Sequence, residues 1–157
     1  MNKPTKPAFD PMDVPARIGS SYPPQFQDGS EKREKRQLGE FGGLVNFGVN
    51  LTTVPPGQES ALRHWHTMQD EFVFIVSGEL TLITDAGEQV LTPGMCAAFP
   101  KNRPDAHCLV NRTDAPASYL EIGDRTPGDQ VAYPGLDLRV DWVDGDHQFQ
   151  KKDGTPY

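Results

Sequence analysis

The sequence predicts an all-β protein with a single domain, on three observations. Fifteen glycines and fifteen prolines, many in pairs such as "PPG" and "TPG", suit short strands joined by tight turns. Runs rich in β-branched and aromatic residues recur at close, fairly regular spacing, with no helical period between them. A chain of 157 residues is long enough to bury one core without disulfides or a structural metal. Strand runs in this arrangement, without βαβ alternation, indicate a sandwich or barrel.

Taken in order, residues 1–36 are expected to form an extended N-terminal arm. They carry six prolines, few large apolar groups and the charged patch "EKREKR", too little apolar surface for a core of their own. The scattered Phe9, Ile18, Tyr22 and Phe26 suggest that the arm lies across the domain or a neighbouring subunit. The barrel core is expected over 37–125. Its first run, "LVNFGVNLTTV", ends at Pro55-Pro56-Gly57, and "SALRHWH" follows. "EFVFIVSGELTLIT" is divided by Gly78 into two strands, and "DAGE" at Asp85 to Glu88 has turn chemistry. "QVL" and "MCAAFP" flank "TPG"; "HCLV" and "ASYLEIG" come after turns at "KNRPD" and "RTDAP". Residues 126–157 form a C-terminal extension whose "LRVDWVDGDHQFQK" reads as a short hairpin around Asp144-Gly145, packed on the barrel.

The formal charge of −7 is uneven: residues 1–36 hold seven Lys/Arg against five Asp/Glu, while 37–157 hold eight against seventeen. An acidic globular part without a basic-aromatic groove repels phosphate backbones, so no nucleic-acid partner is expected. No apolar run is long enough to span a bilayer and no signal-type leader opens the chain, so no membrane partner and a cytoplasmic location are expected. Cys96 and Cys108, with eleven residues between them and no zinc-type pattern, read as two free thiols.

Two of only four histidines stand one residue apart in "RHWHTMQDEFVFIVSG". Alternation along a strand points His64 and His66 to one face, with Arg63 and Trp65 on the other. If "TMQD" forms a hairpin, Glu71 falls on the adjacent strand beside both rings. His107 opens another strand-like segment, and a barrel could bring it across. A lone histidine would read as a hydrogen-bonded core or surface residue. His-x-His with a spaced glutamate on apolar strands instead favours a metal site of His64, His66, Glu71 and His107. Three imidazoles and one carboxylate suit a divalent transition metal such as Fe, Mn, Ni or Zn, with Cu and Co also compatible. A residual positive charge in a low-dielectric barrel would attract a small anionic or chelating molecule.

These residues resemble the two signatures of the cupin superfamily. Gly57, His64, His66, Glu71 and Gly78 match the first, with one extra residue after the opening glycine. Gly94, Pro100, His107 and Asn111 match the second, except that Asn102 stands where glycine is usual and the run from Pro100 to His107 is two residues longer. The resemblance, over roughly residues 45–123, implies a double-stranded β-helix (jelly-roll) barrel, with His64, His66, Glu71 and His107 as metal ligands. It implies a small single-domain cupin of conserved-barrel type.

The resemblance leaves the reaction open. The leading expectation is a metal-dependent enzyme on a small polar or anionic molecule: dioxygenase-like first, isomerase or lyase behind it. The alternative is a non-catalytic small-ligand-binding or sensor cupin. No residue is singled out as catalytic acid or base, and no organic cofactor is implied. Phe72, Phe74 and Val76 fall on the face opposite Glu71, Val73 and Ile75, an apolar outer surface that suggests a homodimer. Arg63 reads as an external ion-pair residue, Arg103 and Asp105 as solvated loop charges, Cys108 as a buried thiol, Cys96 as a core filler and His147 as exposed.

Overall fold

The computed structural model describes residues 4, 6–143 and 146–157. Its elements in chain order are β1 (Ala16–Ile18), β2 (Glu34–Gln37), the one-turn helix α1 (Leu38–Gly42), β3 (Phe47–Val54), β4 (Trp65–His66), β5 (Glu71–Ser77) and β6 (Leu80–Thr84). There follow β7 (Gly87–Leu91), β8 (Cys96–Phe99), β9 (Cys108–Val110), β10 (Ala117–Asp124), β11 (Gln130–Ala132), β12 (Arg139–Val143) and β13 (Asp146–Gln150). A six-stranded sheet runs β1-β2-β3-β10-β5-β8; smaller sheets run β7-β6-β9 and β13-β12-β11-β4. All pairings are antiparallel, as a jelly-roll barrel requires.

The main core forms where the large sheet packs on β7-β6-β9. Val54, Val73, Ile75 and Tyr119 from one side meet Leu80, Leu82, Leu91 and Leu109 from the other. Fully burying a side chain such as Ile75 contributes about 1.5–3 kcal/mol. A second cluster joins Val131, Tyr133, Leu138 and Val140 of the C-terminal extension to Tyr22 and Phe26 of the N-terminal segment. Tyr22 and Phe26 thus pack on the domain, and β2 is a full partner of β3 from Glu34↔Thr53 to Gln37↔Asn50. The tail hairpin pairs β12 with β13, while the expected turn at Asp144-Gly145 lies outside the described residues. Helix α1 and strand β11 carry no sequence pattern that announced them. Among the described residues, no helix is long and apolar enough to cross a membrane.

Two motif positions acquire a local cause. Gly78 turns the chain between β5 and β6 at φ +71°, where an added Cβ would sit 2.7 Å from the Ala117 backbone. Asn102 adopts φ 57°, the left-handed region that asparagine tolerates and glycine prefers. The departure from glycine there leaves the backbone path intact, and Asn102 N–H donates to the His66 carbonyl at 2.8 Å.

Gly78→Ala is expected to cost about 2–4 kcal/mol, because left-handed strain and overlap with backbone add. Gly57→Ala, at φ +73° with nothing within 4 Å of the new methyl, should cost only about 1–2 kcal/mol. Urea unfolding of the two variants against wild type checks the difference.

Candidate metal centre

The structure brings the four sequence-predicted site residues together, by a route that differs from a local hairpin. His66 in β4 pairs with Val131 of β11, in the four-stranded sheet. Glu71 opens β5 in the six-stranded sheet, opposite Gly123 of β10 and Phe99 of β8. Thr67–Asp70 thus cross from one sheet to the other, and the carboxylate meets the imidazoles across the barrel rather than along a ladder. Asp129 and Asp124 explain the crossing: Asp129 Oδ1 accepts from Met68 N–H at 2.8 Å, and Asp124 Oδ2 from Asp70 N–H at 2.8 Å. His64 and His107 face each other through reciprocal backbone hydrogen bonds of 3.2 and 2.9 Å.

The ring nitrogens point at one atom. Glu71 Oε2 lies 3.8 Å from His64 Nε2, 3.7 Å from His66 Nε2 and 3.1 Å from His107 Nε2. His64, His66 and Glu71 offer ligand atoms that all fall within 4.8 Å of one another. His107 stands outside that group of three but beside Glu71; it is 4% exposed and stacks on Phe99 at 3.5 Å.

Electrostatics prepares the donors. Burial pushes His64 down to about 4, against the pull of Glu71, so its ring is neutral near pH 7. Burial also pulls His66 down, but the Asp129 hydrogen bond and the Glu71 charge outweigh it and hold this ring above its ordinary value. Burial raises the Glu71 carboxyl, yet the His107 hydrogen bond and the neighbouring imidazoles hold it well below the usual range. A carboxylate ionised in a buried pocket and surrounded by three nitrogen donors fits a borderline divalent cation. His66 Nδ1 is 2.6 Å from Asp129 Oδ2, and Asp129 is 4% exposed. This contact directs Nε2 of His66 at the centre.

The centre opens into a cavity of about 310 Å³. On its sheet wall, Glu121 of β10 receives Lys35 Nζ at 2.9 Å and Asn50 Nδ2 at 3.0 Å. Burial raises the Glu121 carboxyl, but Lys35 above all, with Arg33 a smaller help, holds it below its ordinary value against the charge of Glu71.

The remaining sequence-singled residues sit as follows. Arg63 faces outward, donating to Asp85 and, at 3.1 Å, to the Ala106 carbonyl. Cys108 is buried and its thiol is pushed up to about 12 by that burial. Cys96 is exposed, not a core filler, because β8 turns Ala97 and Phe99 inward instead. Asp105 accepts from Asp85 N–H at 2.7 Å, Arg103 stays exposed in the loop, and His147 is exposed. Glu121 and Asp129 were missed. Glu121 had a signal, as a lone acid in the apolar run "ASYLEIG"; Asp129, in an irregular segment, had none.

Residues 50–123 match the cupin domain family. The chain is 44% identical to a crystal structure from Silicibacter pomeroyi described as a sugar phosphate isomerase from a cupin superfamily, covering 96% of each chain with a TM-score of 0.90. A putative sugar phosphate isomerase from Acidithiobacillus ferrooxidans is 28% identical over 80% of each chain, with a TM-score of 0.71. The polyketide cyclase RemF from Streptomyces resistomycificus, 22% identical over 82% of this chain and 85% of its own at a TM-score of 0.66, shares the fold. No curated protein matches. The chain belongs to the cupin superfamily.

Asp129→Asn is expected to weaken Zn²⁺ or Mn²⁺ affinity about 10–100-fold, measured by competition with a chelator. Because a metal must displace the proton from His66, whose proton affinity is raised, wild-type affinity should rise with pH across the range above the ordinary imidazole value. In Asp129→Asn that rise should shift to lower pH.

Proposed function

We propose that this chain is a metal-dependent isomerase acting on a small anionic sugar, with His64, His66, Glu71 and His107 as the metal ligands. The observation that carries this reading is the placement of an ionised wall carboxylate, Glu121, in the same cavity as the three-histidine, one-glutamate cluster. The names borne by the 44% and 28% identical structures support isomerisation over the dioxygenase-like chemistry that the sequence put first. The ligand set is not specific to oxygen chemistry, and an acid–base residue beside it suits proton transfer.

Aldose–ketose exchange moves one proton from the carbon next to the carbonyl to the carbonyl carbon, and another between the two oxygens. A bound divalent ion supplies Lewis-acid polarisation of those oxygens. Glu121 accepts the carbon-bound proton on its carboxylate and returns it to the neighbouring carbon. Lys35 keeps that carboxylate ionised before transfer, and Asn50 fixes its orientation.

A panel of aldose and ketose phosphates, followed by NMR in D₂O with the metal-loaded protein, checks this. Interconversion with deuterium entering one carbon is expected, and Glu121→Gln should reduce kcat by about 10²–10⁴-fold at unchanged metal content. Oxygen uptake in place of isomerisation would contradict the reading.

We also propose a cytoplasmic homodimer. Phe72, Phe74 and Val76 are 37%, 39% and 46% exposed on the outer face of β5, an apolar stripe suited to a second copy. Light scattering should give twice the chain mass for wild type and a monomer for Phe74→Glu; a monomeric wild type would refute it.

A further inference from the structure

We propose that Arg17 and Arg33 form an anion-binding subsite on the β1–β2 side of the cavity, taking the phosphate dianion of a phosphorylated sugar whose carbonyl end faces the metal ligands. The identity of the substrate rests on the isomerase reading; the subsite itself rests on the geometry of the N-terminal segment.

Both arginines line the cavity that holds the metal-ligand cluster. Arg17 stands opposite Lys35 in the β1–β2 ladder, and Gly19 N–H to the Arg33 carbonyl, at 2.8 Å, extends that ladder by one step. Arg17, Arg33 and Lys35 therefore share one face, with Arg17 and Arg33 diagonal neighbours within reach of each other's long side chains. Lys35 shows that this face looks inward, since its Nζ is 2.9 Å from Glu121.

The cations of this cavity are not treated alike. Lys35 is answered by Glu121, and Arg125 by Glu40. Among the described residues, neither Arg17 nor Arg33 has a carboxylate within ion-pair distance. Arg33 is only 8% exposed, and its guanidinium donates to two neutral acceptors, the carbonyls of Ser60 and, at 3.2 Å, Gly19. Its Nε is buried without a partner, as is the Oγ of Ser20, which also lines the cavity. A guanidinium cannot shed its proton, and the nearest counter-charge that Arg33 feels, Glu121, is already paired with Lys35, which leaves the buried guanidinium only weakly compensated, a costly state. An oxyanion entering the cavity would relieve that cost and accept from Arg33 Nε, Ser20 Oγ and the Arg17 fork. Two cations without an ion pair of their own, Arg33 buried in the wall and Arg17 exposed at its edge, suit a dianion better than a single carboxylate, which selects a phosphate monoester.

The test is isothermal titration of the full-length, metal-loaded protein with ribitol 5-phosphate, ribitol and ribonate. Wild type should bind the phosphate ester about tenfold or more tightly than ribitol, the value of one charge-assisted hydrogen bond or more. Arg17→Gln, whose side chain has no protein partner to lose, and Arg33→Lys should each cut that advantage about fivefold or more, with ribitol affinity and metal content unchanged. Equal binding of ester and ribitol by wild type, or an advantage that survives in Arg17→Gln, overturns the subsite. Ribonate binding as tightly as the ester overturns the choice of phosphate. A wild type that prefers the ester yet interconverts no sugar phosphate supports the subsite and contradicts the isomerase reading. Turnover that ignores the phosphate does the reverse.

Discussion

One buried oxygen atom organises the interior of this barrel. Glu71 Oε2 is met by three imidazole nitrogens, none farther than 3.8 Å. A carboxylate in that position would be expelled or protonated by desolvation unless positive or donor groups surrounded it. The surrounding rings stand across the barrel from the strand that carries Glu71, so the cluster exists only when the sheets are closed. His64 and His107 are locked to each other by backbone hydrogen bonds, His66 is carried by β4, and Glu71 by the strand that also supplies Val73 and Ile75 to the core. Packing and site are therefore one construction: the inward row of β5 that supplies Val73 and Ile75 to the core begins at Glu71.

The segments that flank the matched region, 50–123, supply much of what distinguishes this barrel. From the C-terminal side, Asp129 sets the direction of His66, and Tyr133 packs near His64 with ring centroids 5.9 Å apart. From the N-terminal side, β2 brings Lys35 to Glu121 and adds two strands to the sheet. A generic cupin barrel thus acquires a charged, shaped cavity from sequence outside the shared signatures. The high coverage of the Silicibacter pomeroyi structure, 96% of each chain, extends the likeness to these flanks, whereas the RemF likeness rests on fold alone.

Much of this was legible in the sequence because strand alternation and turn chemistry are local. "EFVFIV" gave the inward Glu71, Val73 and Ile75 and the outward Phe72, Phe74 and Val76, and burial follows that division. His-x-His with a spaced glutamate and a distant histidine identified the residues that converge. What was hidden depends on long-range pairing. Glu71 reaches the histidines across the barrel, a geometry that a local hairpin reading of "TMQD" could not contain. Strand β11 is three residues long and becomes a strand only because β4 and β12 hold it on both sides. Asp129, Arg33 and Lys35 lie in segments whose proline content and charge read as solvated chain, and only the fold shows them turned inward. Cys96 was misplaced because a small residue gives no sign of which face it takes.

The most direct test of the account is anomalous X-ray diffraction, above the absorption edge of the resident metal, from crystals of protein purified without affinity-column metal. The account requires one peak at about 2.0–2.2 Å from Nε2 of His64, His66 and His107 and from a Glu71 carboxylate oxygen. No peak at that position, or a peak that leaves His107 out of coordination, would contradict it.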